Sequence, residues 1–462
     1  MAKQEPYFDD AAHASSESRA SFSGKLGYVL ATAGSAVGLG NIWRFPYETG
    51  QNGGAAFLLV YILCVLFLGL PVMLAEFVVG RSAKANVNRS FLKLAPGTHW
   101  NIIGYMGVFA PVFIMGFYSV IAGWTLDYVY QAATFGMSQK SPEYFATAFT
   151  EFTASPIRPL FWIFLFLGMN YFIVSRGVSD GIERASNILM PLLFVILIAF
   201  CVRSLFLPGA KEGLSFLFYP DFSKIDSGVV LRAMGQAFFS LSLGMGTLIT
   251  YASYFSDKTS LPKTAVTVAS LDTFVAVLAG VIIFPAVFSF GISPSQGPEL
   301  IFITLPNVFQ QIPGAYIWSV LFFVLITVAA LTSTISLCEV AIAFLHEEFH
   351  FTRRRASQIL IFICLVMSTL CSLSFGPLSD FYILGFSIFN FCDFLASNIL
   401  LPAGGMLISI FVGWKLDRQF IKEELSNHGV SRVWYFGILM FCMRFVAPVA
   451  IFLIFLSGLG LF

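Results

Sequence analysis

Apolar residues run in blocks long enough to cross a bilayer, about 17–25 residues each, with polar residues gathered between them. The blocks fall at roughly 25–50, 54–80, 102–134, 157–174, 184–207, 228–256, 264–290, 314–345, 358–374, 380–412 and 433–461. The pattern predicts eleven membrane-spanning helices. Two of them are interrupted from within. Residues 34–41 read GSAVGLGN, placing three glycines, a serine and an asparagine inside an apolar stretch, although an interior Gly costs about 0.8–1 kcal/mol relative to Ala. Residues 240–247 read SLSLGMGT in the middle of span 6, and Gly244 and Gly246 lie 206 residues after Gly38 and Gly40.

A single glycine-rich span is explained by close helix packing. Two interruptions in corresponding positions ask for more. Span 1 opens one set of five spans and span 6 a second; five is odd, so the two sets enter the membrane from opposite sides. This predicts an all-α polytopic membrane protein, an inverted five-plus-five repeat with unwound helices 1 and 6 and an eleventh span. The expected units are a tail at 1–23, repeats at 24–207 and 228–412, and a terminal span at 433–462. Backbone groups released from helical bonding cannot stand bare in hydrocarbon. They must face a buried site, where unwound carbonyls suit a hard cation and half-helix N-termini suit a carboxylate.

Composition agrees: 57% of residues are hydrophobic and 11% charged, with 53 phenylalanines, whereas soluble domains are about 25% charged. If residue 1 is cytoplasmic, 18 of the Lys and Arg residues fall in cytoplasmic segments and 6 opposite, with Arg44 and Arg444 in or near spans. The positive-inside rule then predicts a multi-pass protein of the cell (inner) membrane with its N-terminus in the cytoplasm. The polar first twenty residues predict no cleaved signal peptide. The seven cysteines all fall in spans as small core residues, and the five histidines lie in tail and loops. No catalytic triad or metal-spaced set emerges, so an enzyme is not expected, and nothing points to nucleic acid.

The stretch GKLGYVLATAGSAVGLGNIWRFPYETGQNGG with the span that follows, GFYSVIAGWTLDY in span 3, SDGIERASNILMP entering span 5, GQAFFSLSLGMGTLITYASY in span 6 and AALTSTISLCEVAIAFLHEEF in span 8 together resemble the neurotransmitter:sodium symporter family. The resemblance covers nearly the whole chain from about residue 19. It implies a substrate and two sodium ions between spans 1, 3, 6 and 8. One sodium site would use Ala36, Asn41, Ser240 and Asp272, completed by the substrate carboxylate. The other would use carbonyls of Gly34, Val37 and Ala329 with the hydroxyls of Thr332 and Ser333. All are oxygen ligands, as a hard cation requires. Back-bonding to the preceding turn is the competing role for the two hydroxyls.

Gly38 bears on the substrate. Amine-transporting relatives carry Asp there, and a chain with Gly needs a ligand that brings its own carboxylate. The resemblance therefore implies an amino acid. Its carboxylate would be held near Leu39, Gly40 and Tyr118, and its ammonium near carbonyls of Ala36, Phe239 and Ser242. Its side chain would sit among Ile114, Phe117, Phe239, Met245, Ser333, Ser336 and Leu337, with Ser240 beside it. That pocket contains no charge, so a hydrophobic side chain is expected. Met245, adaptable and flanked by glycines, extends the expectation to bulky residues.

By the same resemblance Arg44 and Asp380 form an outer gate above a Phe239–Tyr118 lid, and Arg19, Phe22, Tyr254 and Glu347 an inner gate. Gly181 and Pro191 mark a place where span 5 can unwind. Glu76 would bond the unwound backbone of span 6; Asp393 has no assigned role. Asp272 replaces the Asn of many relatives, and Ala276 stands where chloride-dependent ones have Ser. A fixed carboxylate there predicts transport without chloride, with two sodium ions as the only cofactors and a route to proton antiport. The eleven spans and the absence of an external sequon or cysteine pair imply a prokaryotic member. The expected activity is sodium-coupled symport of hydrophobic L-amino acids by alternating access. The alternative is an amino-acid sensor on the same fold. The oligomeric state stays open.

Overall fold

The computed structural model describes residues 21–137, 140, 142–291, 300–310 and 313–461. Most of the expected tail, including Arg19, lies outside the described residues. Among the described residues, eight helices are long and apolar enough to cross a membrane: Ala55–Ala83, Asn101–Ala133, Val178–Ser204, Leu261–Phe290, Ala315–Phe349, Arg353–Leu373, Ile388–Lys415 and Phe436–Gly458. They are spans 2, 3, 5, 7, 8, 9, 10 and 11. Span 4 is the 17-residue helix Arg158–Val174. Span 1 is broken into Lys25–Ala36 followed by Gly40–Arg44 and Phe45–Gln51, and span 6 into Ser227–Ser240 and Thr247–Ala252.

The expected breaks therefore exist, and local geometry explains them. In span 1 the backbone turns extended at Val37 (ψ 105°). In span 6 Ser242, Gly244 and Gly246 all take positive φ, at 55°, 78° and 74°. A Cβ on Gly244 would overlap the Leu401 carbonyl of span 10, so only glycine lets these two backbones meet.

Burial sorts the spans into layers. Spans 8 and 3 bury 83% and 78% of their most apolar windows, against 39% for spans 5, 9 and 11. Spans 3 and 8 thus form the inner wall on which the broken helices rest, and the others face lipid on one side.

Three boundaries differ from expectation. Span 9 begins at Arg353, where the Thr352 side chain accepts from Arg355 N–H and caps the first turn. Span 10 begins at Ile388, because the preceding residues form a hairpin pairing Tyr382–Ile383 with Phe386–Ser387. Leu384 and Gly385 both take positive φ at its tip, as a two-residue hairpin turn demands. Span 5 begins earlier than expected, at Val178. The stretch before span 4 also contains a helix, Pro142–Ala154, whose axis meets that span at 75°.

Candidate substrate and sodium sites

The two breaks face each other across a small cavity. Ser35, Ala36, Gly38, Leu39 and Gly40 line it from span 1, Ile114 and Tyr118 from span 3, Phe239, Ser240, Ser242 and Met245 from span 6, and Ser333, Ser336 and Leu337 from span 8. Its empty volume is about 430 Å³. Of the residues expected around a substrate, all line this cavity except Phe117, which lines the larger space above it. No charged side chain is in the lining.

The released backbone groups find partners around the cavity. Leu39 N–H donates to the Tyr118 hydroxyl at 3.3 Å. The Ser242 hydroxyl donates to the Ser35 carbonyl at 2.8 Å, tying one break to the other, and the Ser35 hydroxyl donates to Ser336 at 2.8 Å. Gly244 N–H donates to the buried Glu76 carboxylate at 2.7 Å, which is the contact expected for Glu76.

Five oxygens expected to hold one sodium come together between spans 1 and 8. Thr332 Oγ1 lies 3.5 Å from the Val37 carbonyl and 3.0 Å from that of Ala329. Ser333 Oγ lies 3.5 Å from the Gly34 carbonyl and 3.3 Å from that of Val37. Two oxygens held about 2.4 Å from one hard cation, a quarter-turn apart, lie about 3.4 Å from each other. The spacing fits such an ion. Thr332 also reaches the Val328 carbonyl at 3.2 Å, so back-bonding and the inter-span contacts coexist.

Three of the four groups expected at the other sodium site also converge. Asp272 is fully buried. Its carboxylate accepts from the Ser240 hydroxyl at 2.9 Å, the Asn41 amide at 2.7 Å and the Tyr61 hydroxyl at 3.2 Å. The Asn41 carbonyl accepts from Gly38 N–H at 3.0 Å and so turns away from this cluster. A half-turn of the terminal amide exchanges its oxygen and nitrogen. Tyr61 was not anticipated; a lone hydroxyl in an otherwise apolar part of span 2 was its only signal.

Above the cavity a vestibule of about 1450 Å³ is lined by Trp43, Arg44, Glu48, Phe117, Trp124 and Asp393 among others. Leu39, Gly40, Tyr118 and Phe239 line both spaces, so the last two side chains form the partition between them. The Arg44 guanidinium lies 4.5 Å above the Phe239 ring and 4.0 Å from Glu48. Asp380 is exposed and makes no ion pair with Arg44. Asp393, unassigned from sequence, shares the vestibule wall with Arg44 and accepts from Ser397 at 2.8 Å.

The opposite end of span 1 is shut. Phe22 packs edge-on against Tyr251 and Tyr254, at 5.9 and 6.2 Å. Ser23 donates its N–H and hydroxyl to Glu183 at the head of span 5, at 2.9 and 2.5 Å. The Tyr254 hydroxyl donates to Glu339 at 2.6 Å, and Arg353 forms a bidentate pair with that same buried carboxylate. Glu347 accepts from Asn86 N–H at 2.8 Å; Arg19, named with it as a gate, is outside the described residues. Span 5 is wound through Gly181 and Pro191. Glu339, Arg353, Ser23 and Glu183 were not anticipated as a closure. An acid within an apolar span followed fourteen residues later by an arginine was the available sign.

Discontinuous helices opposed across an uncharged cavity, with clustered oxygens beside it, are the arrangement of an ion-coupled secondary transporter. The chain belongs to the Sodium:neurotransmitter symporter family, whose profile matches residues 19–151 and 137–462. It is 38% identical to the sodium-dependent transporter YhdH of Bacillus subtilis, over 95% of this chain and 97% of the relative. It is 37% identical to a sodium-dependent transporter of Haemophilus influenzae, over 96% and 98%. Among solved structures it matches MhsT in complex with L-phenylalanine, with a TM-score of 0.87 and 48% identity, covering 95% of this chain and all of that one. The protein is thus a sodium-dependent transporter with an all-α, multi-pass membrane fold.

Proposed function

We propose that the protein carries hydrophobic L-amino acids, aliphatic or aromatic, together with two sodium ions by alternating access and without chloride. The observation that carries the reading is the cavity lining. It offers no charged side chain, and Gly38 supplies no counter-ion, so the ligand must bring both an ammonium and a carboxylate and keep the rest apolar. The 48% identity to MhsT, solved with L-phenylalanine, supports the same class.

In this reading the substrate carboxylate meets the Leu39–Gly40 turn and the Tyr118 hydroxyl, and completes the sodium site of Ala36, Asn41, Ser240 and Asp272. Each ligand then raises the affinity of the other by the same factor. The second sodium joins span 1 to span 8 through Gly34, Val37, Ala329, Thr332 and Ser333. Asp272 supplies the negative charge that chloride supplies elsewhere. Phe239 and Tyr118 close over the substrate, Arg44 and Asp380 approach above them, and the Phe22–Tyr254 closure with Glu347 opens on the other side. The excess of Lys and Arg on one face supports a cytoplasmic position for that closure, with repeats at 24–207 and 228–412 rocking about the site in a cell membrane.

The test is uptake of labelled Leu, Phe and Trp into proteoliposomes, with an inward sodium gradient and then with potassium in its place. Accumulation that needs sodium, persists in gluconate and favours these three over Asp, Lys and Gly supports the reading. Binding without accumulation would make the protein a sensor.

A further inference from the structure

Arg444 lies within span 11, about 12 Å along the helix from Phe436 at 1.5 Å per residue. A charge at such depth is costly and marks a functional site unless it is paired. Its pairing is incomplete. Nε donates to the Gly413 carbonyl of span 10 at 2.5 Å, and the guanidinium lies 5.5 Å from the Trp414 ring. Among the described residues its two terminal nitrogens have no partner and no carboxylate forms a salt bridge with it.

The contact is built from both sides. Trp414 Nε1 donates back to the Arg444 carbonyl at 3.2 Å. A Cβ on Gly413 would press on Arg444 at 3.0 Å, so glycine lets the two spans close on each other here. Trp414 is 58% exposed and lies one residue before the end of span 10.

The surroundings are basic. Lys415 follows Trp414, and Arg418 lies 5.5 Å from the ring of Phe436 at the start of span 11. Neither has a salt-bridge partner among the described residues. The nearby acids are engaged elsewhere: Asp417 caps the helix that follows, Glu423 bonds Gln419, and Glu424 pairs with Arg81 of span 2.

We propose that the corner between spans 10 and 11 binds an anionic phospholipid, its phosphate taken by the terminal nitrogens of Arg444 and flanked by Lys415 and Arg418. A guanidinium fork matches phosphate oxygens two at a time, and acyl chains would lie along the exposed faces of Phe441 and Phe445. The proposal uses the orientation argued above only to choose the leaflet; binding by the purified protein is independent of it and of the transported substrate.

The test is native mass spectrometry of the purified full chain with equal amounts of phosphatidylglycerol and phosphatidylcholine. The expected result is selective retention of phosphatidylglycerol, reduced about fivefold or more in Arg444→Gln and unchanged in Arg203→Gln, a span 5 cation far along the chain. Thermal stability provides a second readout: phosphatidylglycerol raises the melting temperature of the native chain and of Arg444→Lys more than that of Arg444→Gln. Equal retention by native and Arg444→Gln proteins, or no preference over phosphatidylcholine, would overturn the site. Displacement of the lipid by inorganic phosphate at similar concentration would overturn the lipid assignment in favour of a free anion.

Discussion

Gly38 and Ser333 face each other so closely that a Cβ on the glycine would overlap the serine hydroxyl. That hydroxyl is one of the oxygens gathered between spans 1 and 8. With substrate and sodium placed as proposed, a side chain at position 38 disturbs both together. Gly38→Asp should reduce uptake of Phe at saturating sodium by more than about 100-fold, because a buried unpaired charge costs about 3–5 kcal/mol. Sodium-dependent binding of labelled Phe checks this, with melting temperature showing that the variant folds.

Thr332→Ala removes one oxygen from the spans 1 and 8 cluster and leaves the cavity lining intact. Loss of a contact to a charged group costs about 1.5–3 kcal/mol. The sodium concentration for half-maximal uptake should rise at least tenfold, while selectivity among Leu, Phe and Trp stays the same. A sodium titration of initial rates decides it.

Asp272→Asn keeps the shape of the side chain and removes its charge. The native protein should transport equally in chloride and gluconate. In the variant, gluconate uptake should drop by about tenfold, equivalent to about 1.4 kcal/mol, and chloride should restore part of it. Equal loss in both media would mean that Asp272 acts only as a structural acceptor for Asn41, Ser240 and Tyr61.

Much of this site is legible in the sequence. The glycines at 38, 40, 244 and 246 disclose where the helices break, because their matched placement in spans 1 and 6 is more than close packing of a single span explains. The Leu-Thr-Ser-Thr stretch of span 8 puts two hydroxyls beside the break of span 1. Pairings that depend on how distant helices meet were not readable. Glu339 and Arg353 sit on different spans across a turn, and no local pattern says that they point at each other. The hairpin before span 10 was hidden because Phe386 and its neighbours are as apolar as the span itself. Phe117 lies one position from Tyr118, yet the helix turns it into the vestibule.

The Glu339–Arg353 pair holds the shut end together. Glu339→Gln would leave Arg353 without its counter-charge; Arg353 retains 22% exposure, which tempers the effect. The expected loss of stability is about 3 kcal/mol, at the low end for a broken buried pair. A cysteine placed near Phe22 should also react faster with a water-soluble maleimide in this variant. A lower melting temperature with unchanged labelling would mean that the pair is structural and does not govern opening.

Span 6 should be equally intolerant at its turn. Gly244→Ala demands a Cβ at φ 78° and against the Leu401 carbonyl. Strain of about 1–3 kcal/mol from the backbone alone should appear as a lowered melting temperature and loss of Phe binding. The neighbouring Gly235, which has no atom within 4 Å of an added Cβ, should accept Ala with little change.

The partition formed by Tyr118 and Phe239 is one side chain thick, whereas the far end is sealed by edge-on aromatic rings, a bidentate ion pair and a carboxylate latch. Side chains change rotamer in picoseconds to nanoseconds, but helices that must break such contacts move in microseconds to milliseconds. In the proposed cycle the two doors thus run on different clocks. Substrate would test and leave the cavity many times before the far side opens once, so that turnover follows the rarer event and selection among substrates takes place near equilibrium.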